Sequence, residues 1–259
     1  MGDRLSEKQI DLAQYQTIYW EGGEAHTSTP ILFLHGWTIS TAPYHECLSL
    51  LSQRYRVIAP DLPGFGQCKY PKSVPDHIGY VNCLVAFLQA LKVEKAHVIG
   101  HSGGGAVAAA LAATMPSLVS SVIISDSTGI PLGALPTVVF RRLSGMVLQL
   151  PKVKPGVMLQ FYRALLYNCV SKPQNIIQCT WIALEKDLRP LLPQIQSPTL
   201  ILWGGNDRFI PLRFAKEFTQ LIPEAQLIVA EGEYHEWAMF RPQKFVSIVF
   251  SFLQQFSNN

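Results

Sequence analysis

The sequence predicts an α/β protein: a mostly parallel central sheet flanked by helices and interrupted by one helical insertion. Three observations lead there. Short runs of Ile, Val and Leu are bounded by Gly, Pro or Asp, and longer segments of helical spacing lie between them. In one stretch, 128–192, the alternation stops and only helical patterns remain. Continuous apolar runs suit strands buried on both faces, and strand–helix alternation is what parallel crossovers require.

The strand runs are 31–34, 55–59, 97–99, 122–124, 200–203 and 226–229. Residues 15–20 read as an antiparallel edge strand. Helical spacing covers 80–91, 106–115, 213–221 and 245–256. Inside the insertion, Leu135, Val138, Val139, Leu143, Met146, Val147 and Leu150 follow the i, i+3, i+4 spacing of one helix face. Met158, Phe161, Tyr162, Leu165 and Leu166 repeat it. Pro151, Pro155, Pro173, Pro190 and Pro193 punctuate the region. The expected organisation is a core of 1–127 and 193–259 carrying a helical cap of 128–192.

A chain of 259 residues, 48% apolar and 15% charged, can bury a sizeable core. The first dozen residues and the final Ser257, Asn258 and Asn259 are expected to fray. The net charge of +3 shows no basic cluster of the kind nucleic acids need. Five cysteines, odd in number and without zinc-site spacing, read as reduced and mostly packed in the core. No metal or cofactor is expected. The N-terminus opens polar, without a signal-peptide pattern, although Gly2 and Ser6 fit the loose myristoylation motif. No stretch is long and apolar enough to span a bilayer, so the default is a soluble cytoplasmic protein.

Gly100-His101-Ser102-Gly103-Gly104 fits G-x-S-x-G, with a strand run before it and a helix pattern after it. A serine there sits on a sharp strand-to-helix turn, where helix N–H groups face developing negative charge. Ser102 needs a base. Of seven histidines, His26, His35, His45, His77, His97 and His101 precede Ser102, and His235 alone follows it, in the loop after the last strand run. The acid must lie between them. Asp126 and Asp207 both follow strand runs; Asp207, in the turn Gly204-Gly205-Asn206-Asp207, is preferred, and Asp126 is the alternative. The backbone N–H of Gly103 and that of Trp37, in His35-Gly36-Trp37, are the expected oxyanion donors. For His35 a role in buttressing that loop is favoured over a role as a second base. Activity is expected to rise through pH about 6–8 as His235 loses its proton.

These motifs resemble those of the α/β-hydrolase superfamily, in its cap-bearing branch of esterases and carbon–carbon bond hydrolases, over nearly the whole chain outside the cap. His35-Gly36-Trp37 resembles the oxyanion loop, Asp61-Leu62-Pro63-Gly64-Phe65-Gly66 the D-x-P-G-x-G turn, and Gly100–Gly104 the nucleophile elbow. Residues 204–211 resemble the acid loop, and His235 with Arg241, Pro242 and Phe245 resembles the histidine loop and last helix. There are departures. Cys68 stands where Ser is common, and Tyr234 replaces the usual Gly before the histidine. Gly103 replaces a larger residue and is expected to widen the pocket. Ser102 argues against the dehalogenases and epoxide hydrolases of the superfamily, which use a carboxylate nucleophile.

The apolar cap points to a hydrophobic small-molecule ester or thioester, cleaved through an acyl-enzyme. Two alternatives stay open: carbon–carbon bond hydrolysis by the same triad, and a non-catalytic receptor on the same scaffold. Arg141, Arg142, Lys152 and Lys154 allow a peripheral membrane contact through the cap, although a solvated helix face is the favoured reading.

Overall fold

The alternation of side chains along the strands decides the layering. In the computed structural model, which describes residues 5–23 and 29–256, Leu32, Leu34, Val98, Ile124, Ile201 and Trp203 pack to one side of the sheet. Ile31, Phe33, Ile99, Ile123, Leu200 and Leu202 pack to the other. Successive strand residues point to opposite faces, so a strand covered on both sides must be apolar throughout.

The strands are β1 (Ser6–Asp11), β2 (Gln16–Gly22), β3 (Ile31–Leu34), β4 (Val57–Pro60), β5 (Ala96–His101), β6 (Val119–Ser125), β7 (Thr199–Gly204) and β8 (Gln226–Ala230). They form one sheet in the order β1-β2-β4-β3-β5-β6-β7-β8, with β1 and β2 antiparallel and the rest parallel. The helices are α1 (His45–Leu51), α2 (His77–Ala90), α3 (Gly103–Thr114), α4 (Leu135–Gln149), α5 (Pro155–Ser171), α6 (Pro173–Glu185), α7 (Arg213–Leu221), α8 (Trp237–Phe240) and α9 (Pro242–Leu253). Residues of α2, α3 and α7 cover one face, and residues of α1 and α9 cover the other. Helix α2 starts three residues before its apolar pattern because the Asp76 carboxylate accepts from the Gly79 N–H at 2.9 Å, an N-cap.

Two expectations about the N-terminus are corrected. Ser6–Asp11 does not fray: it pairs with β2 from Ser6↔Glu21 to Asp11↔Gln16, and Lys8 binds the buried Glu21 carboxylate at 2.9 Å. Strand β2 is therefore not an edge. Four of the six residues of the outer strand are exposed and only Ile10 packs partly against the core, so ladder hydrogen bonds more than apolar burial hold it, and hydrophobic periodicity has little to register. His26, Gly2 and Ser257–Asn259 lie outside the described residues. Helix α1 was also not foreseen from spacing; its Cys47, Leu48 and Leu51 are buried. Between β6 and β7 the chain forms the three helices α4, α5 and α6 and no strand.

Candidate active site

Every predicted site residue lies just beyond the C-terminal end of a strand: Trp37 after β3, Ser102 after β5, Asp126 after β6, Asp207 after β7 and His235 after β8. In parallel sheets that edge is where sites form.

Ser102 stands alone between β5 and α3 with φ 55° and ψ −122°, a region that costs a non-glycine residue strain energy. Its surroundings impose it. The Ser102 N–H donates to the Ser125 carbonyl at 2.9 Å, and its own carbonyl accepts from Gly105 at 3.0 Å and Thr128 at 3.3 Å. A Cβ on Gly100 would come within 2.2 Å of the Gly104 carbonyl oxygen, and one on Gly104 within 2.3 Å of the Leu34 carbonyl oxygen. The two glycines of the motif are thus a steric requirement of a helix starting hard against two strands.

His235 Nε2 is 3.0 Å from Ser102 Oγ, and His235 Nδ1 is 2.7 Å from Asp207 Oδ2. The carboxylate only accepts, so Nδ1 carries the proton and Nε2 is free to accept from the serine hydroxyl. Asp207 Oδ1 accepts from the Ile210 N–H at 2.9 Å, and this fixes the carboxylate in its turn. All three side chains are buried. Burial pushes the His235 pKa down to about 4, with Glu236 and Asp126 pulling up and Arg142 pulling down. Burial thus predicts that the loss of activity expected at pH 6–8 from the free imidazole value falls at lower pH. Burial also raises the Asp207 carboxyl above the usual carboxylate range, against the Ile210 N–H.

The alternative acid, Asp126, also lies beside this group; its carboxylate, that of Asp207 and the His235 ring offer atoms all within 4.8 Å of one another. Its oxygens are already engaged. Oδ1 accepts from the Gly204 N–H at 2.8 Å; Oδ2 accepts from the Ser125 hydroxyl at 2.7 Å and the Trp237 Nε1–H at 2.8 Å. Asp126 therefore ties the start of the acid loop to the helix behind the histidine, and Asp207 alone of the two has a hydrogen bond to His235.

The expected oxyanion donors flank the serine. Neither the Gly103 nor the Trp37 backbone N–H has an acceptor among the described residues, and Gly36, Trp37, Ser102 and His235 line one cavity. The widening expected at Gly103 is not there. A Cβ at position 103 would lie 2.3 Å from Trp37 Cδ2 and 2.4 Å from Trp37 Cγ, because the indole fills that space. Glycine here admits an aromatic ring from the neighbouring loop. His35 buttresses the same loop: its Nε2 accepts from the Leu62 N–H at 2.8 Å, and its Nδ1–H donates to the Gly36 carbonyl at 2.7 Å.

Two features were missed from sequence. The first is a buried chain of hydrogen bonds in which the Gly36 N–H donates to the Tyr44 hydroxyl (3.1 Å). That hydroxyl donates to His101 Nδ1 (2.7 Å), and His101 Nε2–H donates to the His235 carbonyl (2.8 Å). It joins the oxyanion loop, the elbow and the histidine loop. Burial, with His235 adding to it, holds His101 neutral with a pKa of about 3. The signal was the histidine inside the motif itself; nothing local marks Tyr44. The second is an ion pair between Arg142 of α4 and Glu236, the residue after His235. Burial alone would raise the Glu236 carboxyl, but Arg142 above all holds it at about 2. The Arg142 guanidinium also lies 4.9 Å over the Phe209 ring. So Arg142 turns inward; Lys154 meets Glu46 at 2.9 Å and Lys152 the Gly232 carbonyl at 2.5 Å. A purely solvated face is not what α4 and the segment after it present.

The cavity beside Ser102 measures about 390 Å³ and is lined largely by apolar side chains of α4, α5 and α6, among them Val138, Met146, Phe161 and Leu184. It is the size and character of a small-molecule site.

Together the eight-stranded sheet and the serine elbow define a class, and the chain belongs to it: the sequence profile of the alpha/beta hydrolase family matches residues 31–248. Among curated relatives, a 2-hydroxy-6-oxo-6-phenylhexa-2,4-dienoate hydrolase of Comamonas testosteroni is 24% identical over 97% of this chain and 95% of its own. Among solved structures, a membrane phospholipase A described as a bacterial virulence factor is 26% identical, with a TM-score of 0.83 over 99% of this chain and 88% of that one. An enol-lactonase from Burkholderia xenovorans LB400 shares the fold at 20% identity, with a TM-score of 0.82 over 95% of this chain and 100% of that one.

Proposed function

We propose that this protein hydrolyses a carboxylic ester or thioester with a hydrophobic acyl or alcohol part, through an acyl-enzyme on Ser102. The observation that carries the reading is the unbroken Ser102–His235–Asp207 hydrogen-bond chain at the wall of an apolar cavity. In this reading His235 Nε2 takes the Ser102 proton as Oγ attacks the carbonyl carbon. The oxyanion is met by the Gly103 and Trp37 N–H groups, and His235 then protonates the leaving oxygen or sulfur. A water molecule repeats the sequence on the acyl-enzyme and frees the acid. Asp207 keeps the imidazole in the required tautomer. The likeness to a membrane phospholipase A supports an acyl ester as the substrate class.

The second reading is carbon–carbon bond hydrolysis, favoured by the name of the Comamonas relative. A dienoate carries a carboxylate, and Arg142, the one Lys or Arg among the described residues that line the cavity, is already engaged by Glu236. That favours a neutral substrate. Steady-state hydrolysis of chromogenic acyl esters of graded chain length, wild type against Ser102→Ala, tests the choice. Turnover abolished by Ser102→Ala supports the ester reading. No ester turnover, with cleavage of a dienoate, would replace it by the second; no turnover of either would leave the receptor reading.

A further inference from the structure

Among the described residues, most of the large apolar side chains left exposed to water sit on three helices. Of sixteen large apolar side chains with substantial exposure among the described residues, all but Ile78 and Ile228 lie on α4, α5 and α6 or just after α4. A concentration of exposed apolar side chains of this kind marks an interaction surface where it is contiguous. Leu135, Val139, Leu143 and Val147 recur every four residues on α4, so they share one face. Leu159, Leu166 and Val170, seven and four residues apart, share one face of α5, and Ile177 and Trp181, four apart, share one of α6.

Two further observations say what covers this surface. The first is charge. From Ser127 to Leu184 there is no Asp or Glu at all, while Arg141, Arg142, Lys152, Lys154, Arg163 and Lys172 fall in that span. These six leave fifteen Lys and Arg for the rest of the chain against all eighteen Asp and Glu, so the remainder is acidic overall. Arg142 is neutralised by Glu236 and Lys154 faces Glu46, but Arg141, Lys152, Arg163 and Lys172 pair with no carboxylate among the described residues. Arg141, Lys152 and Lys172 donate to backbone carbonyls and keep their charge, and Arg163 is exposed; apolar and aromatic side chains among cations that no carboxylate neutralises match an anionic lipid surface. A second protein would be expected to meet some acids. The second observation is continuity. Leu135, Val139 and Leu143 are half-exposed and also line the cavity that holds Ser102. The outer face and the substrate cavity therefore share a wall.

We propose that the apolar, cation-bearing face of α4, α5 and α6, on which Glu185 at the end of α6 is the one acid among the described residues, docks on an anionic lipid bilayer, which places the mouth of the cavity against the membrane. Hydrophobic side chains enter the interface, the cations meet lipid headgroups, and an amphiphilic substrate reaches Ser102 without crossing water. The docking itself needs no catalysis; only the delivery of substrate rests on the hydrolase reading.

The test is flotation of the full chain, wild type and Ser102→Ala, with phosphatidylcholine vesicles with and without phosphatidylglycerol. Both proteins should float with the anionic vesicles, and raised salt should release them. Replacing Phe140, Leu166 and Val170, exposed residues outside the cavity lining, with Ser should abolish flotation. Arg163→Glu should weaken it at least about tenfold, since a cation near such a surface contributes roughly a factor of five and an anion is repelled. The Ser variant should keep wild-type turnover of a short, soluble ester. No flotation of wild type, or flotation unchanged in the Ser variant, would overturn the proposal. A wild-type dimer in gel filtration that the Ser variant splits would also overturn it, making a second copy the occupant. Because Ser102→Ala reports binding and the soluble ester reports hydrolysis, failure of either reading is visible separately.

Discussion

Gly103→Ala is the sharpest single test of how the site is built. A Cβ at 103 would stand 2.3, 2.4 and 2.8 Å from Cδ2, Cγ and Cε2 of the Trp37 indole. Non-bonded carbons settle at about 3.5–4 Å, so the ring must withdraw by roughly 1 Å. It has little room. Its ring centroid is 5.8 Å from those of both His77 and Tyr80, and the residue is 8% exposed. Overpacking of this kind costs about 1–3 kcal/mol of stability. If the ring carries its backbone along, the Trp37 N–H leaves the oxyanion, and loss of one such donor costs about 10²–10³ in kcat. The assay is steady-state hydrolysis of a chromogenic ester beside thermal unfolding followed by circular dichroism. Adding Trp37→Leu removes the ring while keeping the backbone N–H, so the double variant should regain most of the Tm and of kcat. A Gly103→Ala enzyme with wild-type kcat and Tm would refute the argument.

Three other outcomes are expected. Asp207→Asn should lower kcat about 10⁴-fold while keeping the fold, since it loses the tautomer-holding carboxylate. Asp126→Ala should instead mainly destabilise, because the Trp237 Nε1–H and Gly204 N–H are left buried without acceptors at about 1–3 kcal/mol each; kinetics and denaturant unfolding of both variants separate the two roles. Protonated His235 cannot act as a base, so kcat/KM should fall only as pH drops through about 4 and stay level between 6 and 8; initial rates seconds after a pH jump, before any unfolding, check this, and a limb at 6–8 would mean that the Asp207 charge outweighs burial. His77 and His101 are held neutral with folded pKa values of about 4 and about 3 against an ordinary 6.5, so the unfolded chain binds the extra protons. Their stabilisation is complete above 6.5 and is lost as pH falls toward 4, each at about 1.4 kcal/mol per pH unit, and Tm measured from pH 7 to 4 should drop accordingly.

Sequence alone was enough for the layered fold, because strands buried on both faces must be continuous apolar runs and the longer segments between them carry helical spacing. It was enough for Ser102 and His235 as candidates, since one motif and one remaining histidine leave few choices. Both are local or countable signals. What spacing could not supply depends on which distant segments meet. Ser6–Asp11 joins the sheet through backbone hydrogen bonds that no side-chain pattern records. Asp126 and Asp207 both follow strands, and only the hydrogen-bond partners of their oxygens separate an acid facing His235 from a tie between loops. Gly103 looks like vacant space in the sequence and is filled in the structure by Trp37, some sixty-six residues earlier in the chain. Arg142 reads as a surface cation until Glu236 is found beside it. Tertiary structure decided these points because contact, burial and charge pairing are properties of approach in space, and composition and periodicity carry no record of it.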